Sequence, residues 1–153
     1  MTDARPIVIR PHEAVPGPAT SGMERRQLFE HGAALAAWIR TDAGVAGGWH
    51  HHGNRDSYIY ILRGSLTIDY GPGGRDSVVA TAGDFIFNPA RIIHRETTSA
   101  DGDAEAFLVR VGDGPQLVNV EGPDPEVRER LARRDIGGHA HASFRMPIPA
   151  PRR

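Results

Sequence analysis

Between Gln27 and Val120 short apolar stretches recur between turn-forming residues. The stretches that read as strands are Gln27–His31, Ala34–Thr41, Gly48–His52, Ser57–Leu62, Ser65–Tyr70, Ser77–Thr81, Asp84–Asn88, Ile92–Thr97, Glu105–Val111 and Gln116–Val120. Gly44, Gly47-Gly48, Gly53-Asn54, Gly64, Gly71-Pro72-Gly73-Gly74, Gly83 and Asp101-Gly102 punctuate them, and bounded runs of this length are the signal of strands rather than helices. Some alternate cleanly: Leu35, Ala37 and Ile39 fall on one side of a strand, Ala36, Trp38 and Arg40 on the other. About ten short strands at this spacing predict an all-β sandwich or barrel. Residues 1–25, rich in proline, read as an N-terminal arm and edge segment in which Ile7–Arg10 is a candidate strand. Residues 26–120 read as the barrel, and 121–153 as a helix and tail. In that last segment Asp124 suits an N-cap, Pro125 the first helical position and Glu126 the positive end of the helix dipole; Gly137-Gly138 ends the helix.

Composition narrows the chemistry. The 153 residues include no cysteine; all 18 positively charged side chains are arginine, so lysine is absent; and there are eight histidines. Thiolate metal sites, disulfides, cysteine nucleophiles and lysine Schiff bases are excluded. A net charge of −1 argues against a nucleic-acid partner. No apolar run approaches the length of a bilayer span, and the N-terminus lacks the charged-then-apolar order of a signal peptide. A protein with no membrane partner, in the cytoplasm, is the expectation. Histidine is the abundant reactive type, and it is the commonest metal ligand.

Three histidines are consecutive, at 50, 51 and 52. On a strand, His50 and His52 share one face and His51 takes the other, so the first two can grip one ion. Around them the spacing Gly44-x5-His50-x-His52 runs on to Gly64, and downstream Gly83-x5-Pro89 leads to His94. This resembles the two motifs of the cupin superfamily, in order, over about residues 26–120. The sequence departs from them at three positions: Ser57 stands where the family has a metal-binding glutamate, Arg91 replaces a glycine, and Thr98 replaces an asparagine.

The resemblance implies a double-stranded β-helix, or jelly-roll barrel, that is open at one end. It also implies His50, His52 and His94 as ligands of one divalent transition metal ion, whether Fe, Ni, Cu, Zn or Mn, and a homodimer. Histidines merely filling a polar barrel interior are the competing reading. With Ser57 in place of glutamate, a three-histidine site completed by water is expected, with Asp56 or Ser57 as the candidate fourth position. Glu96, two residues beyond His94, shares its face on a regular strand. It is a candidate general base, or an acceptor for an imidazole N–H, if it is not simply paired with an arginine on the surface. Ile59, Ile61, Phe85 and Phe87 are expected to line the pocket with Arg91; Arg40, Arg91 and Arg110 are candidate carboxylate binders. The function expected from the resemblance is a mononuclear metalloenzyme acting on a small organic molecule, oxidative in the manner of a dioxygenase. The alternatives are a metal-dependent isomerase or lyase, and a metal-bearing binding or sensory module without turnover.

Overall fold

The computed structural model describes residues 5–18 and 20–123. Eleven strands form two antiparallel sheets. They are β1 (Val15–Pro16), β2 (Met23–His31), β3 (Ala34–Thr41), β4 (His50–His51), β5 (Asp56–Arg63), β6 (Ser65–Tyr70), β7 (Asp76–Thr81), β8 (Phe85–Asn88), β9 (His94–Thr98), β10 (Ala104–Val111) and β11 (Val118–Asn119). One sheet has the order β1-β2-β3-β10-β5-β8 and the other β11-β4-β9-β6-β7. Consecutive strands repeatedly change sheet, as in a jelly roll. Residues 7–10 are not a strand; the edge strand is β1, paired with β2 through Val15↔Gln27. The sequence places β2 too short at its N-terminal end, because Met23–Arg26 is polar enough to read as arm. The expected helix from Asp124 lies outside the described residues.

Leu35 and Ala37 of β3, Ile59 and Ile61 of β5, Ala106 and Leu108 of β10, and Ala80 of β7 form the buried core. Each is at an alternate position, so the two-residue period of a strand sorts core from surface. Small alanines among the larger aliphatics let the sheets approach at this end. Gly64 turns the chain from β5 in one sheet to β6 in the other with φ 74°, a left-handed conformation costly for any residue with a Cβ. A Cβ there would also collide with the Asp103 carbonyl. Gly44 and Gly83, the other motif glycines, likewise have positive φ.

The pairing of β5 with β8 corrects two expectations. Ser57 pairs with Asn88, Tyr58 with Phe87, Ile59 with Ile86 and Tyr60 with Phe85. Asn88 and Ile86 therefore face the barrel with Ser57 and Ile59, whereas Phe85 and Phe87 face out. Phe85 is 82% exposed and lies 4.7 Å from Tyr60, centroid to centroid; Phe87 lies 5.2 Å from Tyr58. Three successive apolar residues, Phe85-Ile86-Phe87, carry no alternation, so the sequence alone does not assign their faces; register does.

Candidate metal centre

Beside the aliphatic core some inward positions are polar. β4 and β9 are neighbours, with His50 directly opposite His94. His52 follows β4 on the same face as His50. The three imidazole centroids stand 4.5, 4.9 and 5.1 Å apart, and all three residues are buried. Glu96 projects from β9 on the same face as His94 and brings its carboxylate into the cluster. Its Oε1 lies 3.3 Å from His94 Nε2 and its Oε2 3.6 Å from His50 Nε2.

Backbone carbonyls fix the orientation of every ring. His50 Nδ1 lies 2.9 Å from the Gly48 carbonyl oxygen, His52 Nδ1 2.8 Å from that of Gln116, and His94 Nδ1 2.9 Å from that of Ile92. A carbonyl only accepts, so each Nδ1 carries the hydrogen. In the neutral ring Nε2 then bears a lone pair, and all three Nε2 atoms converge on the Glu96 carboxylate. Donors stand beside two of these atoms, with Arg110 Nη2 3.3 Å from His52 Nε2 and Asn88 Nδ2 3.3 Å from His94 Nε2, so an ion entering the cluster would displace them. One ligand atom from each of His50, His52, His94 and Glu96 can be chosen so that all lie within 4.8 Å of one another. Donor atoms on one ion bonded at about 2.1 Å stand at most about 4.2 Å apart, so closing the cluster on one ion would take side-chain shifts of about half an ångström or more. The donor set fits a divalent transition metal.

The electrostatics agree with this arrangement. Burial lowers His50 below the ordinary imidazole range. It also lowers His52, aided by the nearby Arg110 charge, to about 3. Both rings are therefore neutral, as metal ligands must be. Burial lowers His94 as well, but the hydrogen bond and charge of Glu96 outweigh this and raise it. Burial pushes Glu96 up; the hydrogen bond with His94 and the imidazole charges outweigh it and hold the carboxyl at about 2. An always-ionised carboxylate is a good ligand and a weak general base. Glu96 meets the imidazoles at Nε2, where it hydrogen-bonds with His94, because backbone carbonyls occupy all three Nδ1 atoms.

The other candidates separate. Asp56 lies outside the cluster: its Oδ1 accepts from the Ala90 amide at 2.8 Å and ties β5 to the turn before His94. Ser57 is fully buried and faces inward, where its Oγ accepts from Arg110 Nε at 3.3 Å. Ile59 and Ile61 both belong to the core, but of the two Ile59 lines the cavity beside the histidines. Arg91 is exposed on a separate outer groove with His51 and donates to Asn54 Oδ1 at 2.8 Å. Its φ of 64° is the left-handed value that the motif's glycine adopts without strain. Arg40 is held by Asp103 at 2.8 Å.

The cavity has a volume of about 230 Å³. Its lining combines His50, His52 and Glu96 with apolar Ile39, Ile59, Leu66 and Leu108. Arg25, Arg110 and Thr98 also line it. Arg25 and Thr98 escaped the sequence reading. Extending the β2 alternation from Gln27 back to Arg25 would have put Arg25 on the inner face, but the strand was begun two residues too late.

A family model for the cupin domain matches residues 37–110. Among solved structures, the polyketide cyclase RemF from Streptomyces resistomycificus is similar over 78% of this chain and 90% of its own, with 18% identity and a TM-score of 0.63. KdgF from Halomonas sp. is similar over 71% of this chain and 96% of its own, with 17% identity and a TM-score of 0.58. A predicted oxalate decarboxylase from Thermotoga maritima is similar over 69% of this chain and 98% of its own, with 24% identity and a TM-score of 0.56. At these identities the likeness is one of fold. No curated protein sequence matches the chain.

Proposed function

As this chain is a small domain of the cupin superfamily, we propose that it is a mononuclear metalloenzyme acting on a small organic molecule, with His50, His52, His94 and Glu96 holding one divalent transition metal ion. The observation that carries this reading is the convergence of three carbonyl-oriented Nε2 lone pairs on one ionised carboxylate inside a cavity. A structural metal would not need that cavity. These four residues would hold the ion at the wall of a cavity that also has apolar lining, where a substrate could reach it. Bound there, a divalent ion supplies Lewis acidity toward a substrate oxygen and, if redox-active, access to oxidative chemistry of the dioxygenase kind.

The chain's own residues have distinct tasks. Gly48, Gln116 and Ile92 hold the imidazoles in the metal-binding tautomer through their carbonyls. Glu96 lowers the net charge of the ion it would bind from +2 to +1, which makes Mn and Fe better matched than a three-histidine site would. The aliphatic walls exclude water and hold a carbon skeleton. A polyketide cyclase among the similar structures supports an organic substrate in this fold.

Metal analysis of the purified protein by mass spectrometry tests the reading. About one ion per chain is expected, abolished in the His50→Ala/His94→Ala double variant and held at least about tenfold more weakly by Glu96→Gln. Unchanged metal content in the double variant would remove the assignment. Oxygen uptake by the iron-loaded protein with phenols, diketones and thiols then tests the oxidative reaction; no uptake together with isomerised or cleaved product would favour the isomerase or lyase alternative.

A further inference from the structure

Two arginines face into the cavity without a carboxylate of their own. Arg25 sits on β2 opposite Ile39, an inward position, and Arg110 sits on β10 opposite both Leu35 and Ser57. Inward positions of a small barrel ordinarily hold apolar side chains, and burying a cation without an anion is costly. Most arginines that pair elsewhere in the molecule do so on its surface, as Arg40 does with Asp103, Arg63 with Glu105 and Arg95 with Asp69. Among the described residues both inward arginines hydrogen-bond to neutral groups only, and the negative charge acting on both is that of Glu96. Arg25 Nη1 donates to the Thr20 hydroxyl at 2.6 Å and the Pro18 carbonyl at 3.3 Å. Arg110 donates to Ser57 Oγ at 3.3 Å, the Gln116 carbonyl at 3.4 Å and His52 Nε2 at 3.3 Å.

The last of these contacts matters most. The lone pair on His52 Nε2 that accepts from Arg110 is the one a metal ion takes, and it does not serve both. Occupation of the metal centre therefore leaves Arg110 Nη2 without that acceptor, next to a second positive charge. Among the described residues Glu96 is the one carboxylate lining the cavity, against two guanidiniums and the ion that would bind there. With neutral histidines, two arginines, a divalent ion and one glutamate sum to about +3, a field that selects an anion. Ser57 explains how the guanidinium enters. The family motif has a glutamate at this position; the small hydroxyl leaves room for Arg110 and does not neutralise it, while Glu96 supplies the carboxylate from β9 instead. Thr98 Oγ1, buried and on the same cavity wall, has no hydrogen-bond partner.

Building on the metal-centre reading, we propose that the substrate is a small organic acid whose carboxylate is held by Arg110 and Arg25 beside the metal. Planar guanidinium and carboxylate match as two parallel hydrogen bonds. The aliphatic lining, Ile39, Ile59, Leu66 and Leu108, favours a carboxylate attached to carbon over an inorganic oxyanion. Thr98 Oγ1 is placed to give or accept a further hydrogen bond on the same molecule.

The test is calorimetric titration of the zinc-loaded protein with malonate, pyruvate, malonamide and inorganic phosphate. The two carboxylates should bind at least about tenfold more tightly than malonamide and phosphate. Arg110→Gln and Arg25→Gln should each remove most of that preference while zinc content, read by mass spectrometry, stays at the wild-type level. Should either glutamine variant fail to fold by circular dichroism, the lysine variants keep the charge but lose the fork, and should retain part of the preference. Amide binding equal to acid binding, or an acid preference that survives in the Arg25→Gln/Arg110→Gln protein, would overturn the proposal. Phosphate binding as tightly as malonate would overturn the organic-acid assignment. The same titration on metal-free protein separates the two readings. Absence of zinc counts against the metal centre alone, and arginine-dependent malonate binding without it would still support the anion site.

Discussion

At the scale of single residues, position 57 links the metal centre to the charge of the cavity. Ser57 has no exposed surface and accepts a hydrogen bond from Arg110. Ser57→Glu is expected to form an ion pair with Arg110 rather than to add a metal ligand, to weaken malonate binding about tenfold or more, and to destabilise the fold by about 1–3 kcal/mol through overpacking. Titration calorimetry and urea denaturation check the two parts. His52 supplies a pH dependence. Its folded pKa lies far below the unfolded value of 6.5, at about 3, so below pH 6.5 the unfolded chain binds a proton the folded one refuses. The stability associated with His52 is thus present above pH 6.5 and lost progressively as pH falls toward 3. Denaturation of the metal-free protein between neutral and acidic pH should show this slope, and His52→Gln should flatten it. An equal slope in the variant would show that His52 does not titrate this way.

At the scale of elements, strand pairing is what assembles the centre. His50 and His94 are 44 positions apart in the chain yet directly opposite one another on β4 and β9. Glu96 joins them because two residues along a strand return to the same face. The turn at Gly64 sets where β5 ends and β6 begins, and its φ of 74° and crowded surroundings admit no side chain. Gly64→Ala should lower stability by more than the roughly 1 kcal/mol of an ordinary left-handed alanine, read as a drop in the denaturation midpoint with an unchanged slope. The aromatic pairs Tyr58–Phe87 and Tyr60–Phe85 lie on the outer face of the same β5–β8 ladder whose inner face carries Ser57 and Ile59. One ladder thus divides surface from cavity residue by residue.

Across the whole molecule, core and cavity share a wall: Ile59, Ala106 and Leu108 belong to the aliphatic core and also line the cavity with histidine, glutamate and arginine. Ile61→Ala, at a fully buried position that does not line the cavity, should cost about 2–5 kcal/mol while leaving the metal stoichiometry unchanged. A metal bound to the folded state alone should stabilise the fold by about 4 kcal/mol at a free concentration 1,000 times its dissociation constant. A calorimetric midpoint that rises with zinc in the wild type, and not in His50→Ala/His94→Ala, would match that expectation. Among the described residues no helix is long and apolar enough to cross a membrane.

Much of this was legible in the sequence. The glycine spacing and short apolar runs gave the strands from Ala34–Thr41 to Glu105–Val111 to within a residue or two, because a strand's two-residue period and the positive φ of turn glycines are local properties. Parity alone separated His50 and His52 from His51, and put Glu96 with His94. Register was not legible, since it depends on which strands meet. It turned Phe85 and Phe87 outward and left Arg91 outside. Nor could the sequence tell which arginines would be left without an anion. Arg40 finds Asp103, whereas among the described residues Arg25 and Arg110 hydrogen-bond to neutral groups and share the field of one cavity carboxylate, Glu96. The sequence by itself determined the strands and the faces that carry His50, His52, His94 and Glu96, while the clustering of Glu96 rather than Asp56 or Ser57 with the histidines came from strand pairing. Only the tertiary structure decided the charge they share a cavity with, since electrostatic balance is a property of neighbours in space and not of neighbours in the chain.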